Sequence, residues 1–126
     1  MSNQAAGYDL FADIENDILL KPLERKLIST GVAVAIPDLY EAQIRPRSGL
    51  AINNGISVLN SPGTIDPDYR GEIKIALINL SNEDFIVKSG MRIAQMIISK
   101  FEEIDFVEVD ELNDTQRGTD GFGSTS

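Results

Sequence analysis

Two stretches of this chain gather the residue types that handle phosphate and activate water. The first is Arg45-Pro46-Arg47-Ser48-Gly49-Leu50. Residues 48–54 can form one or two helical turns, with Ser48 as N-cap and Gly55 as the C′ residue that ends them. A helix start presents unpaired backbone N–H groups and the positive end of a dipole. Gly49 lets a ligand approach the main chain, and Arg45 and Arg47 stand beside it, so the site suits a phosphate. Taken alone, a capped helix flanked by solvated arginines is the commoner arrangement. The second stretch runs from Asn60 to Glu72 and places three carboxylates, Tyr69 and Arg70 within the seven residues 66–72. An aspartate here could be a general base, a metal ligand or a turn-former. The Asp66-Pro67 pair favours the turn, and composition alone leaves the choice open.

Two further residues stand out. Gln95 interrupts the apolar run Ile93-Ala94-Gln95-Met96-Ile97-Ile98, and an amide in such a run needs a hydrogen-bond partner, most simply neighbouring backbone. Phe122 lies between Gly121 and Gly123 in a segment too poor in apolar residues to fold by itself. An aromatic there is suited to cover something planar, with Arg117, Ser124 and Thr125 reaching for an anion; stacking on a base is worth about 1–3 kcal/mol.

What is missing narrows the chemistry. The chain has no histidine and no cysteine. That excludes disulfides, Cys/His metal sites and His-dependent triads. Acid–base work falls to Asp, Glu, Lys, Tyr, Ser or Thr, and any metal would be a hard cation held by oxygens, Mg²⁺ first among them.

These residues must be positioned by strands. Tyr40-Glu41-Ala42-Gln43-Ile44-Arg45 alternates apolar and polar, as do residues 72–75, 84–88 and 104–109, and Val32, Val34 and Ile36 alternate with small alanines. Turn signals at 29–31, 53–55, 61–63, 81–84 and 89–90 separate the runs. Leu20, Leu23 and Leu27 are at helical spacing, but Pro22 and the β-rich flanks favour extended chain. Residues 60–72, between Ile56-Ser57-Val58-Leu59 and the strand at 72–80, form either an extended β-hairpin or a strand–loop–strand. The expectation is one all-β domain over 1–116, a sandwich or barrel with one short helix, and a mobile tail over 117–126.

With 126 residues, 11 Lys+Arg and 20 Asp+Glu, the net charge is −9. Residues 101–126 carry 8 acids and 1 base; residues 1–100 carry 12 acids and 10 bases. The acidic segment at 101–114 is expected to be a solvated strand and its flanks, while the balanced body can hold a local basic site. Such a chain is not a general nucleic-acid or membrane binder. Without an apolar run of membrane-spanning length or a signal sequence, it is expected to be cytoplasmic.

Taken in order, the motifs resemble those of the trimeric dUTP diphosphatases (dUTPases). Ala6-Gly7-Tyr8-Asp9-Leu10 is similar to the family's first motif, Arg47-Ser48-Gly49-Leu50-Ala51 to the second, and Gly63-Thr64-Ile65-Asp66-Pro67-Asp68-Tyr69-Arg70-Gly71-Glu72 to the third. Arg92-Ile93-Ala94-Gln95-Met96 is similar to the fourth and residues 117–125 to the fifth. Each motif alone is of weak to moderate specificity; five in order are very specific.

The resemblance implies a jelly-roll-like distorted β-barrel, a homotrimer, and active sites shared between subunits with the tail as lid. It implies hydrolysis of dUTP to dUMP and pyrophosphate, which limits uracil in DNA and supplies dUMP for dTMP synthesis. Asp66 is then the general base, and Mg²⁺ is held mainly by the triphosphate, with Asp9 supporting it through water. Arg47, Ser48, Gly49 and Gln95 would hold phosphates. Asn60, Thr64, Ile65 and Lys74 would surround the nucleoside, with the Tyr69 ring under the deoxyribose. From the tail, Phe122 would stack on uracil while Arg117, Gly123, Ser124 and Thr125 close the site.

Three departures accompany the resemblance. The family usually carries a strand before the first motif, and its absence would bear on trimer stability. Asp120 stands where the fifth motif usually has glycine, close to where triphosphate should lie. Ser126 stands where glycine is common. The rival readings are a dCTP deaminase-related enzyme, distinguished by ammonia release from dCTP, and a non-catalytic nucleotide-binding trimer, which would bind dUTP without releasing pyrophosphate.

Overall fold

The two-residue hydrophobic period is realised as a series of short antiparallel strands in a computed structural model that describes residues 3–123. The strands are β1 (Gly7–Phe11), β2 (Ile18–Leu20), β3 (Arg25–Ser29), β4 (Tyr40–Arg45), β5 (Ile56–Val58), β6 (Gly63–Ile65), β7 (Lys74–Asn79), β8 (Phe85–Val87) and β9 (Arg92–Lys100). A single short helix among the described residues, α1 (Ser48–Asn54), follows β4. The largest sheet has the order β1-β9-β4-β6, a second has β3-β7-β5, and β2 pairs with β8.

Period two decides what goes inside. On β7, Ile75, Leu77 and Asn79 point inward while Lys74 faces solvent. Ile75 and Leu77 join Leu20, Ile28, Ile56, Val87 and Ile93 in the fully buried core, each worth about 1.5–3 kcal/mol of apolar transfer. Asn79 occupies an inward position with 0% exposure, and all its polar capacity is used. Its Nδ2 donates to Leu20 O and Glu83 O at 2.9 and 2.7 Å, and its Oδ1 accepts from Ser81 N and Ser81 Oγ at 2.9 and 2.7 Å. A buried amide satisfied in this way costs little; left unpaired it would cost its desolvation.

Residues 20–28 form no helix, in keeping with Pro22: the end of β2 and the start of β3 lie on either side of a turn. β2 and β3 flank a turn in which Glu24 N donates to Lys21 O at 2.9 Å and Lys21 N to the Glu24 carboxylate at 3.0 Å. The segment between β5 and β7 combines both forms considered. β5 and β7 pair directly, Ile56 opposite Asn79 and Val58 opposite Leu77, and Leu59 N extends the ladder to Ala76 O at 2.8 Å. Between them the chain detours through β6, which pairs with β4 instead, Gln43 opposite Thr64 and Ile44 opposite Gly63. This detour opens the space described below.

Three expectations are corrected. Residues 104–109 form no strand: Phe106 is 91% exposed and Val107 79%. Alternation states which face would be buried, and no strand among the described residues offers itself as partner. Val32, Val34 and Ile36 do face the core, but the run carries no ladder; Ile73 N donates to Val32 O at 2.8 Å and Val32 N to Thr30 Oγ1 at 3.3 Å. Ser48 is not the N-cap. Arg47 is, with φ −89 and ψ 131 and no side-chain cap bond, because extended backbone continues through Arg47 and Ser48 is already helical. Gly55 does end the helix, at φ +67, and its N–H reaches Ala51 O.

Candidate active site

The detour through β6 leaves a cavity of about 220 Å³ between β5, β6 and β7. Ile44, Val58, Ile73 and Ile75 supply apolar wall, and Asn60, Thr64, Ile65, Asp66, Tyr69 and Lys74 line it together with Glu72. The five residues expected around a nucleoside thus meet in one place, together with the expected base Asp66. A concave site with apolar wall and a few convergent polar groups is the usual form of a small-molecule site.

The turn after β6 sets the polar groups. Tyr69 N donates to Asp66 O at 3.1 Å, and Arg70 Nη1 reaches back to Pro67 O at 2.6 Å and Tyr69 O at 3.2 Å. Asp66 is therefore both a turn-former and a cavity residue. Its backbone closes the turn while its exposed carboxylate, which no ion pair among the described residues engages, is left for chemistry.

A second cluster is built on β9. Asp9 on β1 and Arg45 on β4 both pair with Gln95, so the three lie in one row across the sheet. Asp9 Oδ1 lies 3.6 Å from Arg47 Nε, and Asp9 Oδ2 lies 3.6 Å from Arg92 Nη1. Gln95 Nε2 donates to Pro46 O at 3.0 Å, the neighbouring-backbone partner expected for it. Its Oε1 fills the place where a side chain at Gly7 would begin, so glycine is needed there for close approach. One of the amide's two N–H groups remains for a ligand. Arg45 parts from Arg47: its Nη2 donates to Gln43 Oε1 at 2.8 Å, along β4.

Ser48 and Gly49 are exposed at the helix start, and a Cβ added at Gly49 would meet no atom within 4 Å. Asp9, Arg47, Ser48, Gly49 and Gln95 do not line this cavity. Phe122 is fully exposed, and Arg117 turns inward on its own segment, Nε donating to Asp120 O at 2.6 Å. Gly123 is exposed with φ +82; Ser124 and Thr125 lie outside the described residues. Within one chain, therefore, the cavity residues, the cluster on β9 with the helix start, and residues 117–123 form three separate groups.

Among the described residues no group of three or more carboxylates could form a cage. Mg²⁺ keeps several waters and is commonly bound by one or two carboxylates plus substrate phosphates. A lone half-buried Asp9 between two guanidinium groups fits that second mode and not an all-protein site.

Two residues here went without a role in the sequence reading. Arg92 opens the fourth motif and pairs with Asp9; opposite charges in motifs one and four were the available signal. Glu72 closes the third motif and lines the cavity.

The family model described as dUTPase matches residues 1–126. The chain belongs to the dUTPase family. It is similar to the deoxyuridine 5'-triphosphate nucleotidohydrolase of Rickettsia canadensis (strain McKiel), with 61% identity over 124 residues, 98% of this chain and 84% of the relative. The protein of that name from Cytophaga hutchinsonii is 62% identical over 122 residues, 97% of this chain and 79% of the relative. Among solved structures, the Staphylococcus bacteriophage 80alpha dUTPase with dUPNHPP superposes with a TM-score of 0.90 at 26% identity, covering 100% of this chain and 89% of that one. The fold of this dUTPase is thus the jelly-roll type its sequence resemblance implied, mostly β with one short helix. No helix among the described residues is long and apolar enough to cross a membrane.

Proposed function

We propose that this dUTPase hydrolyses dUTP to dUMP and pyrophosphate, with Asp66 as general base. The observation that carries the reading is the placement of an exposed, unpaired Asp66 carboxylate at the rim of a cavity walled by Asn60, Thr64, Ile65, Tyr69 and Lys74.

Uracil shows an acceptor, a donor and an acceptor in O4, N3–H and O2. Backbone groups of the β6 segment and the Asn60 amide match that order, whereas cytosine presents a donor at N4. The apolar slot leaves no room for the methyl of thymine. Thr64, Ile65 and Lys74 surround the nucleoside, and the Tyr69 ring lies beneath the deoxyribose. Asp66 takes the proton from the water that attacks the α-phosphorus in line, while pyrophosphate leaves.

Arg47, Ser48, Gly49 and Gln95 hold phosphate oxygens; the Gly49 N–H lies in the first helical turn, where it has no intrahelical partner. Asp9 would support Mg²⁺ through water, and the metal, when bound with the triphosphate, would supply charge neutralisation at the leaving group. The residues assigned to phosphate do not line the cavity assigned to the nucleoside within one chain, which supports a homotrimer whose copies complete one another's sites. Residues 117–126 then form the lid, with Phe122 over uracil and Arg117, Gly123, Ser124 and Thr125 at the phosphates. The enzyme acts in the cytoplasm.

The test is pyrophosphate release from dUTP with Mg²⁺, beside dCTP, dTTP and UTP, on protein sized by light scattering. Release from dUTP alone by a trimer is expected. Asp66→Asn should keep dUTP binding and lose about 10²–10⁴-fold in turnover, the scale of a general base. A trimer that binds dUTP and releases nothing would make the protein a binding module; near-normal turnover in Asp66→Asn would remove that residue as base.

A further inference from the structure

Past Asp66 the cavity wall turns back into β7, and two hydrogen bonds converge on the residue where it does so. Tyr69 Oη donates to the Glu72 carbonyl at 2.8 Å. The Glu72 carboxylate, through Oε2, accepts the Gly31 backbone N–H at 3.0 Å. Gly31 lies just after β3, 41 residues away along the chain. Its φ is +69, and Asp13 Oδ2 fills the space a Cβ would take, so both conformation and contact demand glycine there.

The bonds on either side act one residue further on. Thr30 Oγ1, buried at 6% exposure, donates to Ile73 O at 2.6 Å, and Ile73 N donates to Val32 O at 2.8 Å. Those two stitch the segment at 30–32 to the start of β7. The Glu72 carboxylate is the link that holds residue 72 itself, whose carbonyl receives the tyrosine hydroxyl.

We propose that Glu72 is a positioning residue for nucleoside selection: tied to Gly31, it fixes the carbonyl that anchors Tyr69 and thereby fixes the aromatic ring at the cavity wall. The inference rests on the reading of Tyr69 as the surface beneath the deoxyribose. Excluding a 2′-hydroxyl by contact requires a ring that cannot yield. A ring anchored at its hydroxyl edge cannot tilt away; one whose anchor moves can. Glu72 acts on the substrate only through Tyr69. Releasing it should therefore loosen discrimination between dUTP and UTP more than it slows the chemical step.

The experiment measures kcat and KM for dUTP and UTP, with thermal melts, on wild type, Glu72→Ala, Glu72→Gln, Tyr69→Phe, the Glu72→Ala/Tyr69→Phe double variant and Thr30→Val. Glu72→Ala should raise KM for dUTP, change kcat by less than about twofold, and lower the dUTP/UTP preference about tenfold, the scale of one hydrogen bond to a charged acceptor. Glu72→Gln keeps an acceptor for Gly31 N–H and should restore the preference. Tyr69→Phe should lower the preference to a similar degree, and the double variant should lower it no further, as for two members of one device. Thr30→Val should melt earlier with its preference intact.

A folded Glu72→Ala with wild-type preference, or a Glu72→Gln no better than the alanine variant, overturns the proposal. If Glu72→Ala does not fold, Tyr69→Phe decides alone: a fall in preference supports the device and an unchanged preference sinks it. Wild-type protein that releases no pyrophosphate from dUTP overturns the underlying functional reading and the proposal with it. Active wild type beside an indifferent Glu72→Ala overturns the proposal only.

Discussion

Asp9 Oδ1 lies 3.6 Å from Arg47 Nε, joining the first strand to the residue that caps the helix. Arg92 approaches the other carboxylate oxygen at the same distance. Both ion pairs are part-exposed, with Asp9 at 28% and Arg47 at 27% side-chain exposure, so each is worth at most about 1 kcal/mol. Asp9→Asn should therefore fold and melt close to wild type. It should need more Mg²⁺ for half-maximal pyrophosphate release, which a titration of activity against Mg²⁺ reads directly. An unchanged titration would remove Asp9 from the support of the metal.

Gly7→Ala places a methyl where Gln95 Oε1 now sits. The amide is the end of a flexible side chain, so it turns away and gives up its bond to Pro46 O. A loss of about 1–3 kcal/mol is expected from crowding and the broken bond. Calorimetry with a non-hydrolysable dUTP analogue should show weaker binding beside that loss. Full affinity in the destabilised variant would mean that Gln95 holds no phosphate.

Asn79→Leu fills the same volume but leaves Leu20 O and Ser81 N without their partner, while Glu83 O keeps the Ser81 hydroxyl. With an unpaired buried polar group costing about 1–3 kcal/mol, a loss of about 3 kcal/mol or more is expected. Urea unfolding should show a lower midpoint at unchanged slope. A loss under about 1 kcal/mol would show that water replaces the amide and that the network is not what holds β2 to β7.

Removing residues 117–126 takes away a segment whose hydrogen bonds, among the described residues, stay local: Arg117 Nε to Asp120 O, and Gly118 N to Thr115 Oγ1. The melting behaviour of the remaining chain should stay within about 0.5 kcal/mol of wild type, as for exposed changes in general. Pyrophosphate release should fall about a hundredfold, the scale of losing charge-stabilising groups at a reacting centre. A tailless protein with full turnover would contradict the lid.

Local features were legible because local physics produces them. Tyr40–Arg45 alternates and is a strand with Ala42 and Ile44 buried; Gly55 follows a short helix and takes the left-handed conformation that ends it. Residues 104–109 carry the same alternation and make no strand, since a strand needs a neighbour to satisfy its backbone and the pattern names none. Ser48 has the right side chain for a cap but stands one residue inside the helix, a distinction decided by Arg47's backbone angles.

The chain's own order of residues determined its family, its β character and the side chains equipped for phosphate, base and water. These follow from residue types and short spacings, which a linear reading contains. Only tertiary structure decided that β6 leaves the β5–β7 pair to join β4 and so opens the cavity, that Asp9 meets both Arg47 and Arg92, and that Glu72 reaches back to Gly31. Each of these depends on which distant strands pair and in what register. Pairing is set by the collective burial of Ile28, Ile75, Leu77 and Ile93 and not by any property of the paired residues alone.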